Sequence, residues 1–148
     1  MAEKHEALTY RYAELTDSIV TSVEIFSDVY DEVTSYLTNA LWDTGAMGSV
    51  IAPTVVAKLN LDIVDTVEIT GINGTSVAEV TVISVHFPSS AIINDLRVAV
   101  CAMSPETEMI LGMDAITQMD FAITNGNGQT QFSFAIPPHK DKIDFTNR

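Results

Sequence analysis

"ALWDTGAMGSV", residues 40–50, puts an acid, a hydroxyl and a glycine at the end of an apolar run and follows them with small and apolar residues. The setting predicts that the carboxylate of Asp43 points towards the interior of the chain's own core. A carboxylate there is costly unless it is hydrogen-bonded, paired or protonated. Upstream, "SIVTSVEIFSDVY" (18–30) alternates and is rich in β-branched residues, and a polar turn at Asp31-Glu32 leads into a second strand, "TSYLTNALWD" (34–43). Downstream, Pro53 suits the first turn of a short helix whose "VVAKLNL" run sets Val55, Val56 and Leu59 on one face.

The remaining chain also reads as strands. "DTVEITGINGTSVAEVTVISVHF" (65–87) is a hairpin, with Asn73-Gly74 signalling a type I′ turn. "IINDLRVAVCAM" (92–103) is a strand that buries Cys101. "EMILG" (108–112) runs into a short helix, "MDAITQM" (113–119), capped by Asp114. "DFAITNGNGQTQFSFAI" (120–136) is a hairpin turning at residues 125–128, and Pro137-Pro138 opens a polar, frayed tail. Met103, Met109, Met113 and Met119 read as core filler.

At 148 residues, 47% hydrophobic and 18% charged, the chain has the size and composition of one globular domain. Its formal charge of −13 argues against nucleic-acid partners and anionic membranes. No segment has the apolar core of a signal peptide or a membrane-spanning length, which predicts a cytoplasmic protein. One cysteine excludes an internal disulfide. His5, His86 and His139 lack metal-ligand spacing, so neither a metal nor a cofactor is expected. Glycine-rich phosphate loops and G-x-S-x-G elbows are absent.

What remains is D-T-G at Asp43, Thr44 and Gly45, weak alone but set in a telling order. "LWDTGA", a glycine-bearing hairpin "ITGINGTSVAEV", the triplet Ile110-Leu111-Gly112 and the helix "MDAITQM" succeed one another. That order resembles the retropepsin-like (retroviral-type) aspartic peptidases over residues 18–137. The resemblance implies a mostly β fold: a single-domain closed barrel or sandwich with a flap hairpin and one or two short helices. It sets a mobile segment at 1–17 before the domain and a tail at 138–148 after it.

The resemblance also implies roles. Asp43 is the catalytic aspartate. Thr44, Gly45 and Ala46 complete the active-site loop, with Thr44 bonding its counterpart across a dimer axis and Gly45 letting an N–H approach the carboxylate. Gly71, Ile72, Asn73 and Gly74 form a flap over bound peptide. Ile110, Leu111 and Gly112 form the strand that threads the loop. Trp42 replaces a smaller aliphatic residue and should pack behind the loop, while Met47 and Gly48 stand where viral members carry acids.

Hydrolysing a peptide with neither metal nor covalent nucleophile requires a water between a base and an acid. Two carboxylates about 3 Å apart supply both, because they share one proton. The chain carries one D-T-G, so the second aspartate is expected from a homodimer acting on a peptide or protein substrate. Two other readings stay open on these residues: a non-catalytic dimerisation or peptide-binding module of the same fold, and an idle form awaiting removal of the N-terminal segment.

Overall fold

Alternating apolar and polar side chains lay most of the chain down as strands, each with one face inward. The computed structural model describes residues 4–27 and 34–147. The turn expected at Asp31-Glu32 lies outside the described residues. In chain order the strands are β1 (Glu6–Arg11), β2 (Val20–Ser27), β3 (Thr34–Trp42), β4 (Val50–Ile51), β5 (Asp65–Gly71), β6 (Gly74–His86), β7 (Ile92–Val100), β8 (Met109–Leu111), β9 (Asp120–Thr124) and β10 (Gln131–Ile136). Helix α1 (Pro53–Leu59) follows β4, and α2 (Met113–Ile116) follows β8. No helix among the described residues is long and apolar enough to cross a membrane.

Seven strands form one sheet in the order β2-β3-β8-β4-β7-β6-β5, and β2 pairs back onto β6. That pairing closes six strands into a barrel and leaves β5 outside it. In β2, Thr21, Val23, Ile25 and Ser27 all point inward. A register shift between Ile83 and Val85 bends β6 where β2 meets it. Short β8 runs between β3 and β4, parallel to the first and antiparallel to the second. Ile25, Ile51, Val55, Val85, Met109 and Leu111 are buried in the core of this barrel. In α1 the inward residues are Val55 and Leu59, while Val56 is half-buried.

A second, three-stranded sheet has the order β1-β10-β9. Residues 1–17 were expected to be mobile, yet Glu6–Arg11 pairs along its whole length with β10. Leu8 and Tyr10 pack against the core, which a local reading of this mixed stretch does not reveal. The tail is also engaged: His139 bonds Asp120 through its backbone N–H (2.7 Å), and its ring stacks on His5 at 3.8 Å.

An aromatic cluster joins the two sheets. Trp42, at the end of β3, packs against Phe132 and Phe134 of β10 with ring centroids 4.9 and 5.5 Å away. Phe87 and Phe121 complete the group. The Trp42 indole N–H donates to the buried Thr21 hydroxyl at 2.9 Å.

Candidate active site

Residues 43–49 leave the end of β3 as a loop that is fastened to β8 and α2 as well as to itself, where Ala46 N–H donates to Asp43 O at 3.3 Å. The β3–β8 ladder runs on into the loop, with Asp43 N–H donating to Leu111 O at 2.9 Å. The first backbone N–H groups of α2 also turn to the loop. Met113 donates to Ala46 O (2.8 Å) and Asp114 to Met47 O (3.1 Å). The helix start is thereby satisfied without a side-chain cap.

Two glycines allow these approaches. A Cβ at Gly112 would lie 2.8 Å from the carbonyl oxygens of both Ala46 and Gly48, so loop and strand come together only where no side chain stands. At Gly45 a Cβ would meet Asp43 Oδ1 at 3.1 Å, and the Gly45 N–H donates to that same oxygen at 2.8 Å.

Asp43 is half-buried, and Thr44 and Gly45 are exposed. The carboxylate thus sits at the surface of the barrel, not within its core as its sequence setting predicted. It opens onto a cavity of about 320 Å³ whose walls include Ile19, Trp42, Thr44, Phe121 and Ile123. The other acid lining that cavity is the exposed Asp17. Among the described residues no group of three or more His, Cys, Asp and Glu could hold a metal ion.

The sequence over residues 32–115 matches the family described as Aspartyl protease, which takes in Asp43 and Ile110-Leu111-Gly112. The chain belongs to the aspartyl protease family. Its fold is retropepsin-like. It superposes on a retropepsin-like aspartic protease from Rickettsia conorii with a TM-score of 0.55 and 14% identity, over 91% of this chain and 98% of that one. EIAV protease complexed with the inhibitor HBY-793 matches with a TM-score of 0.48 and 24% identity, over 68% and 86% of the two chains. No curated protein sequence matches the chain.

The structure brings Asp43, Thr44, Gly45 and Ala46 together with Ile110, Leu111 and Gly112. The residues expected to form a flap stand apart. Gly71, Ile72, Asn73 and Gly74 form the tip of the β5–β6 hairpin, and among the described residues no hydrogen bond ties them to the Asp43 loop. The turn also differs from expectation. Gly71 pairs with Gly74, so Ile72 and Asn73 are the loop residues, and neither has positive φ. A type I′ turn requires positive φ at both. Gly74 takes the left-handed position instead, at φ 109°.

Asp114 is a further correction. Gly112, not Asp114, occupies the cap position of α2. The Asp114 carboxylate instead accepts from the Ser49 hydroxyl (2.6 Å) and the Ser49 N–H (3.0 Å), across 65 residues of sequence. Neither residue was singled out for the site; the one signal was a lone hydroxyl amid the small and apolar residues after D-T-G. Cys101 lies one residue past β7 and is half-buried rather than buried in the strand, and burial pushes its thiol up. At the far end of β8, Glu108 accepts hydroxyl bonds from Tyr36, Thr38 and Thr54. That bond, followed by burial, raises the Tyr36 phenol above its ordinary range.

Proposed function

We propose that the protein is an aspartic endopeptidase that works as a homodimer, with one Asp43 from each chain. The observation that carries this reading is the Asp43 loop itself. Its carboxylate is oriented by the Gly45 N–H and opens onto a cavity large enough for a substrate side chain, while the Asp43 backbone N–H fastens the loop to β8. In the reaction one Asp43 carboxylate takes a proton from a bound water as its oxygen attacks the peptide carbonyl. The other, protonated, donates to the carbonyl oxygen. A proton then passes to the amide nitrogen as the C–N bond breaks. The β5–β6 hairpin is the element that closes over the peptide.

Support for the dimer comes from the second sheet. The outer edge of β9 is unpaired among the described residues, and an unpaired edge invites a strand of a second copy. Ile123 on β9 is 45% exposed and lines the same cavity as Asp43 and Thr44. A two-fold axis beside that edge would bring two Asp43 loops together, with Thr44 of each bonding the other loop.

The test is digestion of a mixed peptide library from pH 4 to 7, alongside sedimentation. Asp43→Asn should remove hydrolysis by well over about a hundredfold while the dimer persists. Asp17→Asn should stay within about threefold of the parent, because Asp17 is no part of the pair. Loss of activity in Asp17→Asn, or a monomer that cleaves at full rate, would replace the two-chain site with one inside a single chain. The non-catalytic module predicts dimerisation and no hydrolysis at any pH.

A further inference from the structure

Six hydrogen bonds hang the Asp43 loop on residues 111–114, and they fall into two kinds. Three run from backbone to backbone: Asp43 to Leu111, Met113 to Ala46 and Asp114 to Met47. The other three pass through two side chains. Ser49 donates to Asp114 Oδ1 from its hydroxyl and to Oδ2 from its N–H, at 2.6 and 3.0 Å, and the Gly112 N–H donates to the Ser49 hydroxyl at 3.0 Å. Ser49 is buried at 2% exposure, so its donors and acceptor have no water to replace a lost partner.

We propose that Asp114 is a positioning residue for Asp43, acting through Ser49 to fix where the active-site loop sits on β8. Its catalytic consequence rests on the peptidase reading above; the tether itself does not. The chemistry fits an ionised carboxylate. Asp114 Oδ1 accepts from both the Ser49 hydroxyl and the Ala115 N–H, and Oδ2 accepts from the Ser49 N–H, so both oxygens serve as acceptors. An asparagine keeps the shape but turns one acceptor into a donor facing another donor. The Ser49 hydroxyl, already committed to Asp114, offers its lone pair to Gly112, the residue whose missing Cβ lets the loop approach. Carboxylate, hydroxyl and glycine thus act as one unit at the far end of the loop from Asp43. The Gly45 bond orients the carboxylate at the near end.

A positioning role predicts a particular split in the kinetics, since a reacting group displaced by a fraction of an ångström loses rate more than binding. In Asp114→Asn and in Ser49→Ala, kcat should fall by about 10- to 100-fold while KM stays within about threefold. The double variant should be no worse than the weaker single variant, because both break the same unit. Hydrogen exchange at Ser49 and Gly112 should quicken by more than about tenfold in Asp114→Asn, with β6 and β7 still protected. Unchanged exchange, unchanged kcat, or losses that multiply in the double variant would each overturn the proposal. If the parent cleaves no peptide, the peptidase reading fails alone, and the exchange measurement, which needs no substrate, still decides whether the tether exists. Ser49→Ala, which removes one hydroxyl, gives the same answer should Asp114→Asn fail to fold.

Discussion

Gly112 and Gly48 lie on opposite sides of one close approach, yet they face different demands. A Cβ on Gly112 would overlap the loop backbone at 2.8 Å, whereas one on Gly48 would meet nothing within 4 Å. Gly112→Ala should therefore cost at least about 2 kcal/mol, because backbone on both sides must shift. Gly48→Ala should stay within about 0.5 kcal/mol. Urea unfolding of the pair checks both; equal midpoints would mean that the approach is looser than the geometry states. Trp42 answers the same question for packing. Trp42→Phe strands the buried Thr21 hydroxyl and thins the aromatic cluster, an expected loss of about 1–3 kcal/mol.

Strand β1 tests the architecture at the scale of an element. Removing residues 1–11 uncovers the edge of β10 and takes away Leu8, Tyr10 and the bond from Tyr10 to Ser22. A loss of about 3 kcal/mol is expected from the buried apolar area, lowering the melting temperature by roughly 6–12 °C. An unaltered melting temperature would return the segment to a mobile one.

The tail has a pH signature. Asp120 is held below the ordinary carboxylate range chiefly by the His139 backbone N–H, against the opposing effect of partial burial, with help from the His139 ring and from His5. Its folded value lies below the unfolded one, so the stabilisation is present above the ordinary carboxylate value and is lost as pH falls through the lowered one. The stability gap between parent and Asp120→Asn should be full well above the ordinary carboxylate value of about 4 and close as pH falls below it. A gap constant across that range would remove the tail's attachment from the balance.

Over the whole molecule, charge works against association of two copies, since each carries a formal charge of −13. Salt screens that repulsion, so the proposed dimer should tighten several-fold between about 0.05 and 0.5 M NaCl. Ile123→Lys places a charge on the open edge of β9 and should weaken association at least about tenfold, with activity falling most at low protein concentration. Equilibrium sedimentation measures both. A dimer indifferent to Ile123→Lys would move the interface away from β9.

The amino-acid sequence by itself determined the parts whose cause is local. Alternation set the strands, Pro53 set the start of α1, and the run of D-T-G, hairpin and Ile110-Leu111-Gly112 identified the family and loop. The strands and the start of α1 depend on residues within a few positions of one another, and the family signature on short motifs that keep their order along the chain. Four features were decided only by tertiary structure. Strand β1 exists because β10, more than a hundred residues away, offers it an edge and a core. Asp43 lies at the surface because the barrel closes behind it on β8 and Trp42. Positive φ fell on Gly74 because the register paired Gly71 with Gly74. Asp114 binds Ser49 as well as the Ala115 N–H of its own helix, because the backbone carbonyls of Ala46 and Met47 had already taken the first N–H groups of that helix and folding brings the distant hydroxyl near.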